Sequence, residues 1–257
     1  MNLLLVEPGE LAGDVVTIAD RRGEHLRGVL GATVGSRVRC GIVGGGVGTA
    51  DVLAIDDTRF TLRLAITDPA PAPMPVELVL AMPRPKVLSR AIEAAASFGV
   101  ERIDLTNAWR VDKSYLDSPR LEPEALALAA RFGAEQGATT HVPPIAVHRR
   151  LMELMERYKA GDGRTRSDAE GGAKSINEPG RDRLLAHPGG IPIERAVRSN
   201  PITLAIGPEG GWIEREVETF AARGFAIVSL GTPILRVETA VAAALGQLAL
   251  LERVRSR

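Results

Sequence analysis

The sequence predicts an α/β protein in which a small all-β barrel precedes a larger domain built on a parallel sheet with helices on both faces. Three observations carry this. Over the first 70 residues, short apolar segments alternate with glycine-bearing turns. From residue 76 onward, strand-length apolar runs alternate with helix-length amphipathic ones, the pattern of a covered parallel sheet. Between them lies Asp68-Pro-Ala-Pro-Ala-Pro-Met-Pro75, whose prolines favour an extended spacer. The domains therefore read as 1–70 and 76–257.

In chain order, Val15–Ile18 is a first strand. RVRCGIV (37–43), Gly44–Gly46 and VGTADVLAI (47–55) form a hairpin with a glycine turn. RFTLRLAI (59–66) alternates as a half-buried strand running on to Thr67. VELVLAM (76–82) is a buried strand, and VLSRAIEAAASFG (87–99) is a helix stopped by glycine. RIDLTNA (102–108) is a strand and EPEALALAARFGAEQ (122–136) a helix, and PPIAVHRR leads into LMELMERYKA. Residues 160–183 are polar, glycine-rich and without period, as in a long loop. ITLAIG (202–207) is a strand, EREVETFAARG (214–224) a helix, FAIVSLG (225–231) a last strand and ETAVAAALGQLALLERV (238–254) a terminal helix.

Composition excludes several classes. Hydrophobic residues make up 45% and charged residues 25%, as in ordinary globular proteins. A single cysteine, Cys40, excludes an intramolecular disulfide and a cysteine-built zinc site, and the four histidines show no metal-site spacing. No metal is expected. Net charge is zero, so a globally basic nucleic-acid binder is not indicated, although arginine supplies most of the 32 cations and suits phosphate recognition. Neither a signal peptide nor a membrane span is legible, which points to the cytoplasm.

The chemistry concentrates in the last quarter. TLAIGPEGGWIEREV places Gly207-Pro208-Glu209-Gly210-Gly211 between a strand and a helix. SLGTPILRVETA repeats the arrangement, with Leu230-Gly231 ending a strand and Ile234-Leu235-Arg236 entering a helix. Glycines at the carboxyl ends of strands admit close ligand approach, and helix N-termini offer free N–H groups. Two such loops on adjacent strands would flank one crevice. A nicotinamide oxidoreductase is disfavoured, because no G-x-G-x-x-G follows the first strand.

These residues resemble a family. Ile206-Gly207-Pro208-Glu209-Gly210-Gly211, Leu230-Gly231 and Ile234-Leu235-Arg236-Val237-Glu238-Thr239-Ala240 look like the RsmE-type small-subunit ribosomal RNA uridine methyltransferases of the SPOUT class. Leu185-Ala186-His187-Pro188, Glu135-Gln136 and His25-Leu26 with Val29-Leu30 match as well, so the resemblance covers nearly the whole chain. It implies a trefoil-knotted parallel sheet holding S-adenosylmethionine (SAM), a PUA-like RNA-binding barrel, a homodimer, and N3-methylation of a uridine in 16S ribosomal RNA. Leu204, Ile206, Gly207, Glu209, Gly210, Gly211, Leu230, Gly231, Ile234, Leu235, Arg236, Thr239 and Ala240 would then hold the cofactor.

Uracil N3 is protonated at neutral pH, so a cation must stabilise the developing anion and a base must accept the proton. Arg236 is the candidate for the first role. Glu238 is either the base or a helix N-terminal carboxylate, and Glu209 reads more readily as a loop-shaping acceptor. His25, Arg27, Arg84, Lys86, Arg90, Arg110 and Lys113 are the RNA-binding candidates. Trp109 and Trp212 are expected in core packing, with base stacking as the alternative. Gly28, Gly31, residues 137–141 and Ser97-Phe98-Gly99 depart from the family pattern on the RNA side, so an enzyme with another RNA target or a non-catalytic RNA-binding relative stays open.

Overall fold

The computed structural model describes residues 1–57, 59–158, 181–198 and 200–255. The chain divides into two compact units. One holds Met1–Pro73 with residues 96–99 and 130–142; the other holds Met74–Ala95, Val100–Ala129 and Pro143–Arg257.

The first unit contains β1 (Leu4–Val6), β2 (Leu11–Ala12), β3 (Val15–Ile18), α1 (Arg21–Gly28), β4 (Arg37–Ile42), β5 (Val47–Asp56) and β6 (Arg59–Asp68). They form a sheet in the order β1-β4-β5-β6-β3-β2, antiparallel except that β1 runs parallel to β4. Its core gathers Leu4, Val6, Val16, Ile18, Cys40, Val52, Phe60 and Leu62. Burial there pushes the Cys40 thiol up to about 11, which leaves it protonated and inert.

The expectation of an all-β unit is corrected by α1. RRGEHLRG offers one buried apolar side chain, Leu26, and an internal glycine, so no helical period is visible. Ion pairs stabilise it instead. Asp20 caps the helix by accepting from Arg22 N at 2.8 Å. The Arg22 guanidinium, only 4% exposed, bonds to Asp20, Glu10 and the Leu5 carbonyl. Nearby, Arg21 donates both terminal amines to Glu135 at 2.8 Å, the bidentate geometry that favours arginine.

The second unit contains β7 (Met74–Ala81), α2 (Pro85–Ser97), β8 (Val100–Thr106), α3 (Pro123–Gly137), β9 (Ile145–His148), α4 (Leu151–Met155), β10 (Asp182–Pro192), α5 (Ile193–Ala196), β11 (Ile202–Ile206), α6 (Glu214–Ala221), β12 (Ala226–Ser229) and α7 (Val237–Arg255), with the ends of α2 and α3 falling in the first unit. Its sheet runs β12-β10-β11-β7-β8-β9, and every pairing is parallel. One register row crosses it as Ala226, Leu184, Leu204, Leu78, Ile103 and Ile145. β11 is buried throughout, as a two-sided parallel strand must be. Leu88, Ala91, Ile92 and Ala95 form the buried stripe of α2, and Val237, Val241, Ala244, Leu245 and Leu248 that of α7.

Most of the expected 160–183 loop lies outside the described residues, but Asp182 and Arg183 begin β10 rather than end a loop. No helix among the described residues is long and apolar enough to cross a membrane. No cluster of metal-ligating side chains occurs among them either.

Candidate functional site

β10 precedes β11 and β12 in sequence yet sits between them in the sheet. Both loops that follow those strands therefore return to the carboxyl end of β10. There they enclose a cavity of about 1070 Å³, just above the range of ordinary ligand sites. Ile206–Trp212 form one wall and Ser229–Leu235 another.

The third wall comes from β10 itself. Its register with β12 breaks between Ala186 and Ile191, and Ala186, His187, Pro188 and Gly190 line the cavity at that bulge. Gly190 passes so close to Val228 that an added Cβ would stand 2.5 Å from its N and 2.6 Å from its Cα. Ile193 and Glu194 continue this wall, while Gln247, Leu250 and Leu251 of α7 close the floor.

Several bonds fix the loops. Gln247 Nε2 donates to the Leu230 carbonyl at 2.9 Å. The Ser229 hydroxyl donates to Gly231 O at 3.1 Å, and Gly211 adopts φ +69° at the turn into α6. Glu209 accepts from Arg84 N at 2.9 Å, capping α2 with its charge, and it also lines the cavity. Glu216 accepts from Ile213 N at 3.0 Å and from Trp109 N at 2.7 Å. Trp212 is 3% exposed and packs edge-on to Phe220 with ring centroids 5.0 Å apart. Its Nε1 has no partner among the described residues, although the residue lines the cavity.

Of the expected cofactor residues, Ile206, Gly207, Glu209, Gly210, Gly211, Leu230, Gly231, Ile234, Leu235 and Ala240 line this cavity. Leu204, Arg236 and Thr239 do not. Leu204 is wholly buried in the sheet, between Leu184 and Leu78. Arg236 and Thr239 are exposed, and the Arg236 carbonyl accepts from Ala240 N at 2.7 Å as α7 begins. Glu238 is half-buried in the first turn of α7, where a carboxylate favours the helix dipole.

Arg84, Lys86, Arg90, Arg110 and Lys113 are all exposed in the second unit. Arg110 Nη1 donates to the carbonyl of Gly210. In the first unit, Arg27 is exposed with its guanidinium 5.9 Å from the Phe60 ring centre. His25 is half-buried; burial first, then the amino terminus and Arg21, lower its pKa against the pull of Glu135, which favours neutral imidazole at pH 7.

The expectation of core packing fails for Trp109, which is 78% exposed. In the turn after β8 the buried places are taken by Ala108 and Val111, and the residues between them face outward. Sequence reasoning also missed the walls at 186–194 and 247–251. Only the Ala186-His187-Pro188 match pointed to the first, and nothing in the apolar helix marked Gln247.

A family model for an RNA methyltransferase domain matches residues 70–249. Two curated relatives are ribosomal RNA small subunit methyltransferases E. The one from Treponema pallidum is 28% identical, covering 95% of this chain and 89% of its own. The one from Borreliella burgdorferi is 27% identical over 95% of each. Among solved structures, a ribosomal RNA small subunit methyltransferase E from Neisseria gonorrhoeae bound to S-adenosyl methionine superposes with a TM-score of 0.74. It is 21% identical and covers 98% of both chains, a likeness that shows the shared α/β fold.

Proposed function

This chain belongs to the RNA methyltransferase domain family, and from that premise we propose that it transfers the methyl group of SAM to N3 of a uridine in 16S ribosomal RNA. The carrying observation is the convergence of three strand-end loops on one cavity whose lining mixes apolar side chains with backbone polar groups. Those residues fit the cofactor. Ile206, Leu230 and Leu235 offer an apolar slot for a purine, and Gly207, Gly210 and Gly211 leave the backbone open to close approach.

When bound, SAM supplies an electrophilic methyl carbon on a sulfonium leaving group. The chain's own part is to hold the two reactants in line and to handle the uracil proton. Arg236, exposed at the edge of the cavity between the lining residues Leu235 and Val237, stabilises the uracil oxygens as N3–H loses its proton. Glu238, one helical residue beyond Val237, accepts that proton. Arg84, Lys86, Arg90, Arg110 and Lys113 meet RNA phosphates.

The same reading assigns residues 1–70, with His25 and Arg27, to a PUA-like RNA-binding barrel and residues 76–257 to a knotted SPOUT domain. The order β12-β10-β11 supports the threading, since the connection from β11 to β12 must cross β10. Exposed Ile234, Leu250 and Val254 support a homodimer, which would cover them. A ribosomal RNA substrate favours a cytoplasmic location. The names of the curated relatives favour the small subunit over another RNA target.

Deleting the gene should remove one N3-methyluridine from 16S RNA, read by mass spectrometry of nuclease fragments. An unchanged mark rejects the substrate.

A further inference from the structure

We infer that Trp109 is a base-stacking platform at the rim of the cofactor cavity, taking the face of a nucleobase of the substrate RNA. The inference rests on the reading of the chain as an RNA methyltransferase and names how the substrate is gripped.

Single exposed apolar side chains are ordinary, so 78% exposure assigns nothing alone. Its anchorage distinguishes Trp109. The backbone N–H is held at 2.7 Å by Glu216, itself only 8% exposed and bonded through its second oxygen to Ile213 N. The next residue, Arg110, bonds to the Gly210 carbonyl and packs so closely that a Cβ on Gly210 would stand 3.0 Å from Arg110 Cδ. Gly210 lines the cavity. Trp109 is thus tied to α6 and Arg110 to the loop that forms one cavity wall, and the indole is presented from fixed backbone.

A flat, rigid aromatic held this way suits a ligand with a flat face, because little freedom is lost on contact. The surroundings favour a polyanion. Exposed Arg84 is attached to the same loop through Glu209, and Arg110 and Lys113 are exposed nearby in sequence. The intervening Asp112 is turned back onto Ser114 N and Oγ, at 2.9 and 2.8 Å. Bases splayed out of single-stranded RNA stack on aromatic side chains while cations hold the phosphates.

The chain has two tryptophans, and with the cofactor site saturated the buried Trp212 is a constant background, so a change in emission on adding RNA reports contact at Trp109. The full chain, saturated with S-adenosylhomocysteine, is titrated with unmodified 16S RNA transcript or with small subunits lacking the mark. RNA should quench the emission, and Trp109→Phe should bind RNA without quenching. Trp109→Ala should raise KM for RNA about 5- to 150-fold, the range for one lost base stack, at unchanged Kd for SAM. Trp109→Phe should recover most of that loss.

RNA that binds in a filter assay without altering emission overturns the inference, as does an alanine variant with the KM of the parent. An alanine variant that sediments as a smaller species at unchanged KM assigns Trp109 to an interface between copies and also overturns it. Failure of the unsubstituted protein to bind SAM or methylate RNA rejects the functional reading and the inference with it.

Discussion

Adding one methyl group at Gly190 tests whether the bulge in β10 shapes the cavity. A Cβ there meets Val228 N at 2.5 Å and Cα at 2.6 Å, about 1 Å short of an ordinary contact. Both are backbone atoms of the paired strand, so no side-chain rotation relieves the clash. β10 or β12 must move, and overpacking of this kind costs about 1–3 kcal/mol. For a chain of this size each kcal/mol lowers Tm by about 2–4 °C, so Gly190→Ala should melt roughly 2–12 °C lower. The displaced strand end carries cavity-lining residues, and SAM affinity by calorimetry should fall about tenfold or more. Gly189→Ala is the matched control. Its Cβ would stand 3.5 Å from His187 Nδ1, an ordinary contact, and its φ is not left-handed. That variant should stay within about 0.5 kcal/mol of the parent. Equal melting and equal SAM affinity for the two variants would refute the close packing of β10 on β12.

Three further substitutions probe other parts of the second unit. Arg236→Ala should abolish methyl transfer while leaving Tm within about 2 °C and the Kd for SAM within about twofold, since its side chain is exposed and does not line the cavity; retained turnover, measured with radiolabelled SAM, rejects its catalytic role. Gln247→Ala removes the bond to the Leu230 carbonyl and should cost about 0.5–1.5 kcal/mol with weaker SAM binding, read by thermal melting with and without the cofactor. Asp104, wholly buried, accepts from His148 Nε2, Arg157 Nη1 and Arg102 Nη2 at 2.8–2.9 Å. Burial pushes its pKa up, but the His148 bond and the charges of Arg102 and Arg157 prevail and hold it below the ordinary carboxylate value. Its contribution is therefore fully present above about pH 4 and is lost as pH falls through the lower folded value. Asp104→Asn should cost about 3–5 kcal/mol at pH 7, with the difference from the parent shrinking at acid pH; a difference independent of pH contradicts the assignment.

What the sequence revealed depended on how each element is stabilised. β7 and β11 were legible because strands buried on both faces are mostly apolar, Glu77 and Thr203 apart, and α2 and α7 because their buried stripes recur at helical spacing. α1 was not, since a charged cap and a buried arginine hold it and neither leaves a period. β10 was not, since His187-Pro188-Gly189-Gly190 and Pro192 have the composition of a turn, although parallel neighbours keep the chain in the sheet. Trp109 was placed wrongly because the end of a strand does not determine which side the next residue faces.

The cavity shows the same division at finer grain. Motif spacing identified the loops at 207–211 and 230–235 because glycine is required there by backbone geometry. The third wall follows from strand order, which no local pattern encodes. A chain that placed β10 at the sheet edge would leave those two loops one strand spacing closer, with nothing between their ends to form a pocket. Inserting β10 separates them and supplies the bulge at 186–190 as a wall. The apolar lining is thereby shared among three strand ends and the face of α7, while Arg236 falls between two lining residues with its own side chain exposed. In the proposed function, that alternation would turn one short segment to the cofactor on one side and a cation to the substrate on the other.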